Sequence, residues 1–149
     1  MIVSLIENKR VYFDYEVLDK FTAGLELFGQ EVKSLRLKRG SLEGSRVLIR
    51  GKEAYVVNME IPPYQPNNKP GTYDDRRTRR LLLLEKEIKE LENSGSKKGL
   101  TIVPISVYNK GRFIKMDIGL AKGKKNFDKR ESIKKRESER DIRRSLKNE

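Results

Sequence analysis

The chain has 149 residues, 36% hydrophobic and 38% charged, with 34 Lys and Arg against 22 Asp and Glu and a formal charge of +12. That suits one domain with a modest core plus an appendage, and the cation excess points to a polyanion, nucleic acid before a membrane surface. The chain contains no Cys and no His, which excludes a disulfide frame and thiolate metal sites and removes the commonest general base; no apolar run or leader-like segment is present, so it reads as cytoplasmic.

The stretch from Tyr12 to Leu18 alternates and is rich in aromatic and β-branched residues. It reads as a strand with Phe13, Tyr15 and Val17 toward the core, preceded by the basic segment Asn8-Lys9-Arg10. Aromatic rings beside such a segment could stack on bases. Phe28, Val32 and Leu35 then recur at helical spacing, predicting an amphipathic helix near 28–38 with Lys33 and Arg36 on the other face together with Glu31. Gly40 is a natural stop. Residues 46–50 and 53–59 read as a hairpin around Gly51-Lys52. A polar loop rich in Pro, Asn and Gly follows, from Gln65 to Asp75.

Next comes the cationic run Arg76-Arg77-Thr78-Arg79-Arg80 and four leucines, Leu81 to Leu84. Helical spacing of Leu84, Ile88 and Leu91 predicts a helix near 85–93; the leucines fit either its first turn or a buried strand leading into it. Two long alternating strands follow, 100–108 and 112–120, joined at Asn109-Lys110-Gly111. Ile114, Met116, Ile118 and Leu120 share one face, and Lys115 and Asp117 the other. About six short strands with two helices predict a mainly β fold, an OB-like six-stranded barrel occupying residues 1–121, with closure hiding the strand edges.

From Lys122 onward the chain is a basic tail with twelve cations, six anions and few apolar groups. Such a segment cannot offset its own ordering entropy by burial. Phosphates would supply what it lacks, through counterion release. Asp128 and Glu131 offer a helix start, and Ile142 and Leu146 fall on one face of that helix, whose free stability is marginal.

Nothing in the chain assembles a catalytic constellation. There is no phosphate-binding loop or dinucleotide fingerprint, and the acidic residues sit mostly beside Lys or Arg. The expectation is a binding protein without a cofactor or metal. An amphipathic membrane-surface role fails on the thin apolar face of the tail.

Three segments are more specific. Gly29-Gln30-Glu31-Val32-Lys33-Ser34-Leu35-Arg36, Arg77-Thr78-Arg79-Arg80-Leu81-Leu82-Leu83, and the stretch from Leu120 to Arg130 closely resemble, in order and separation, three signatures of the small protein B family, the SsrA-binding proteins. The resemblance runs from about Asn8 to Leu146. It implies an OB-like barrel with a tail disordered when free. It implies binding to the tRNA-like domain of transfer-messenger RNA (tmRNA), whose elbow meets the barrel. It further implies delivery of that RNA to stalled ribosomes for trans-translation, by a protein that is monomeric when free and catalyses nothing. A ribosomal protein or general single-strand RNA binder with an OB-like barrel is the alternative.

Carried over by position, the resemblance implies RNA contacts at Asn8, Lys9 and Arg10, and at Phe13, where His is common. It implies a turn at Thr22-Ala23-Gly24 that touches the RNA elbow, with Thr22 where Glu is usual. Leu82, Leu84 and Lys115 match further RNA-facing positions, and Lys33 and Arg36 join them from the basic helix. In the tail it implies ribosome contacts by Lys122, Lys124, Lys125, Phe127, Asp128, Lys129 and Arg130, the tail turning helical in the message channel near the decoding centre, with Ile142 and Leu146 as its apolar anchors.

Overall fold

A computed structural model describes residues 2–65, 71, 73–97 and 99–124. Ten elements follow in order: β1 (Ile2–Glu7), α1 (Val11–Asp14), β2 (Tyr15–Leu25), α2 (Gly29–Arg36), β3 (Arg46–Arg50), β4 (Glu53–Val57), β5 (Arg79–Leu82), α3 (Glu85–Gly95), β6 (Leu100–Lys110) and β7 (Phe113–Gly123). The fold class is as expected, with one strand more than the sequence suggests: seven, in the antiparallel order β1-β6-β7-β2-β5-β4-β3. The extra strand is the N-terminal β1, paired along β6.

The sheet curls until β3 packs against β6, so the last strand closes on the middle of the sheet. Bulges provide the bend. In β2 the register against β7 shifts between Val17 and Asp19, and in β6 it shifts between Pro104 and Ser106. Proline cannot donate to a ladder, and a bulge is where a central strand tolerates it. Inside lie Leu35, Val56, Met59, Ile61, Leu81, Leu91, Met116 and Ile118, all 0–1% exposed. The alternation expected for 112–120 holds, since Ile114, Met116, Ile118 and Leu120 are buried.

Three local expectations are corrected. The segment 12–18 is not one strand. Arg10 takes the N–H groups of Phe13 and Asp14 on its carbonyl, making α1 a single turn pinned by buried Val11, and β2 starts at Tyr15. Tertiary anchoring outweighs the strand preference of Tyr12 and Phe13. Helix α2 stops at Arg36 rather than near 38, and Lys38, not Gly40, takes the first left-handed conformation after it (φ 61°). Arg39 N–H then closes on Ser34 O at 3.0 Å. Finally, β7 continues to Gly123, past the expected boundary at 121/122. The leucine run resolves as Leu81 and Leu82 in β5 and Leu84 capping α3, where its N–H donates to Glu87 Oε1 at 3.0 Å.

Candidate nucleic-acid interface

Two members of the dense arginine run, Arg77 and Arg79, build an internal framework. Glu31, expected on the solvent side of α2, is fully buried. Its carboxylate accepts from Arg79 Nε at 2.7 Å, from Arg77 through both Nε and Nη2, from the Phe28 N–H at 2.8 Å and from the Tyr73 hydroxyl at 3.2 Å. Arg79 is also fully buried, and its remaining N–H groups reach the carbonyls of Met59, Arg77 and Asp75. A buried charge is tolerable only with this degree of pairing. Burial pushes the Glu31 carboxyl up, but the Arg77 hydrogen bond, the Phe28 N–H and the charge of Arg79 outweigh it and hold the pKa below the ordinary 4.5. Arg76 pairs with Glu60, and Arg80 with Glu53 and Glu26. The run therefore spends its charge on carboxylates of the fold, Arg77 and Arg79 on buried Glu31 and Arg76 and Arg80 in surface pairs.

Cations outside this network lie elsewhere. On the outside of the barrel, register places Lys115 of β7 opposite Gly24 of β2, and Gly24 opposite Leu82 of β5. Thr22 of β2 faces Asp117 of β7 one step along. These side chains share one face because paired positions point the same way. A Cβ on Gly24 would come within 3.2 Å of Leu82 Cβ, so the missing side chain is what lets Leu82 lie across the strand. Leu82 is 50% exposed and Leu84 60%. Helix α2 borders this face: Arg36 donates to the Arg112 carbonyl at 3.5 Å, beside the β6–β7 turn, and Lys33 is exposed on the same helix, 5.5 Å from the Tyr64 ring.

The expected turn at Thr22-Ala23-Gly24 is instead straight strand in β2. Ala23 is fully buried in the core, so its side chain meets no outside partner. Its period-2 position between two outward neighbours explains this.

A second cluster sits about 30 Å away along β2, at its start. Lys9 and Arg10 are exposed, and Asn8 Nδ2 donates to the Pro104 carbonyl at 3.0 Å, fixing the segment to the β6 bulge. Arg10 lies 5.2 Å from the centre of the half-buried Phe13 ring. Lys122 is exposed at the end of β7, and Lys124 Nζ donates to the Tyr12 carbonyl at 2.8 Å. Asn8, Lys9 and Arg10, with Lys38 and Arg46, line an open cleft of about 1240 Å³. Lys38 and Arg46 were not singled out from sequence. Lys125, Phe127, Asp128, Lys129, Arg130, Ile142 and Leu146 lie outside the described residues.

Sequence reasoning passed over Phe113 and Tyr108 on the β7 face, and placed Asp117 there without giving it a role. The period-2 pattern that placed Lys115 outward places Phe113 and Asp117 there too. Among the described residues no group of acidic side chains could hold a metal ion, and no helix is long and apolar enough to cross a membrane.

Fold and surface together define a small basic β-barrel of the OB-like class, with cations outside the Glu31 network on an outer strand face and at one end. Residues 5–148 match the family model described as SmpB protein. The chain is 46% identical over 143 residues to the SsrA-binding protein of Gloeothece citriformis, covering 96% of this chain and 92% of the relative. It is 47% identical over 141 residues to the SsrA-binding protein of Elusimicrobium minutum, covering 95% and 89%. A solved chain described as "tmRNA-SmpB: a journey to the center of the bacterial ribosome" superposes with a TM-score of 0.70 at 39% identity, over 83% of this chain and 87% of that one. The chain belongs to the SmpB family.

Proposed function

We propose that this chain binds the tRNA-like domain of tmRNA and delivers it to stalled ribosomes for trans-translation, as a binding protein and not an enzyme. The observation that carries the reading is the outer row Lys115–Gly24–Leu82 with Thr22 beside it, presented by three adjacent strands of a barrel whose arginine run 76–80 is already paired with carboxylates. A cation for phosphate, an apolar surface for a base and a hydroxyl oxygen, its proton given to Asp117 and its lone pairs open to a sugar hydroxyl, are groups a folded RNA can use. Because they stand on strands, their spacing is fixed before binding. Lys33 and Arg36 extend the row, and Asn8, Lys9, Arg10 and Phe13 supply a second contact at the barrel end. The tail from Lys125 onward supplies ribosome contacts, led by Phe127 and Asp128-Lys129-Arg130, and Lys122 and Lys124 act where it leaves the barrel.

The test is capture of the full chain from cells followed by sequencing of the bound RNA. One RNA with tRNA-like ends should dominate. A spread of messages and ribosomal fragments in proportion to abundance would identify a general single-strand binder instead.

A further inference from the structure

Successive outward positions of β7 are Phe113, Lys115 and Asp117. Phe113 is 67% exposed and Lys115 Nζ lies 5.7 Å from its ring centre. An aromatic ring standing in water on a rigid strand is a stacking platform that accepts any base. Asp117 is the odd member, because a carboxylate repels the phosphates that the neighbouring cations attract.

Its position is nevertheless fixed with care. The Tyr108 hydroxyl donates to Asp117 Oδ1 at 3.0 Å and the Thr22 hydroxyl donates to the same oxygen at 3.1 Å. Two hydroxyls donate to Oδ1, and Oδ2 has no hydrogen-bond partner among the described residues. An ionised carboxylate only accepts, so on RNA it meets a ribose 2′-OH, which every nucleotide carries, or an N–H donor on a base edge, which distinguishes them. Cytosine, adenine and guanine present exocyclic amino groups, whereas uracil's one N–H, at N3, lies between two carbonyl oxygens that an aspartate repels.

Resting on the reading that this face binds RNA, we propose that Asp117 is a base-reading residue: its Oδ2 accepts the exocyclic amino group of an unpaired nucleotide while Phe113 stacks the neighbouring base. Four steps along the strand separate their Cα atoms by about 13 Å, too far for one base to meet both. Lys115, between them, meets the linking phosphate. Thr22 and Tyr108 are positioning residues that hold the carboxylate.

The experiment measures fluorescence anisotropy of the full chain with labelled r(C)8 and r(U)8 at one salt concentration and pH 7.5; both are pyrimidines, so stacking is matched. Wild type should prefer r(C)8 by roughly fivefold or more, the scale of one base-edge contact. Asp117→Ala should bring the ratio near one and raise r(U)8 affinity, because a repulsive charge is gone. Phe113→Ala should weaken both octamers alike and keep the ratio. Thr22→Val with Tyr108→Phe should reduce the ratio while leaving the charge. A wild-type ratio near one, an Asp117→Ala ratio unchanged from wild type, or an equal loss on both octamers with a lowered melting temperature would overturn the proposal. Selectivity for a tRNA-like transcript does not enter this readout, so the fate of the proposed function and of this inference are distinguishable.

Discussion

Glu31→Gln separates the two uses of charge in this molecule. Glutamine keeps the shape of the side chain but turns one accepting oxygen into a donor and removes the charge. Arg79, fully buried, and Arg77 would then face an amide N–H with donors of their own. Removing one partner of a buried pair costs about 3–5 kcal/mol. At about 4 °C per kcal/mol for a domain of this size, melting should fall by roughly 12–20 °C. The comparator is Glu60→Gln, which breaks the Arg76 pair between side chains 55% and 39% exposed; exposed pairs contribute about 0–1 kcal/mol. The pH dependence follows in sign. A carboxyl whose folded pKa is lowered stabilises the fold above its ordinary value of 4.5 and loses that contribution as pH falls through the folded pKa. The melting gap between wild type and Glu31→Gln, followed by circular dichroism, should therefore narrow in acid below that value. Equal melting temperatures at pH 7 would refute the view that the Glu31–Arg77–Arg79 cluster organises the barrel.

Lys115→Ala should leave melting within about 0.5 kcal/mol of wild type, as a surface change does. It should weaken binding to a tRNA-like transcript and reduce the magnitude of the log K against log salt slope by about one, the loss of one phosphate contact; an unchanged slope removes Lys115 from the phosphate contacts. Truncation after Lys124, rather than before Lys122, keeps β7 whole and should preserve selective RNA binding while stopping peptide tagging on stalled ribosomes. Loss of binding by this truncated chain with native circular dichroism would contradict the division between barrel and tail.

How much of this was legible in the sequence differs by element. The hairpin around Gly51-Lys52, the helix at 85–95 and the alternation of β7 were legible because local spacing and turn chemistry agree with the tertiary answer. The helix turn at Val11–Asp14 was not, since Val11 is held by packing against distant β6 and β7 residues that no local window contains. Glu31 and the arginine run misled for a related reason. A Glu at that helical spacing reads as solvated, and only the return of residues 73–79 over α2 places two guanidiniums on it. On the proposed interface, the outward placement of Lys115 was legible from the period of β7. Asp117 was assigned to the right face yet given no role, because its meaning depends on hydroxyls from two other strands.

The central claim is that the outer face of the barrel selects a tRNA-like fold. The most direct measurement is competition binding of the full chain to the tRNA-like domain of tmRNA against an unstructured RNA of equal length and charge, at about 0.15 M salt, where long-range attraction is largely screened. At least tenfold preference is expected, roughly 1.4 kcal/mol, and it should fall on replacing Thr22 and Lys115 together. Equal affinity for the two RNAs, in wild type and variant alike, would contradict the account.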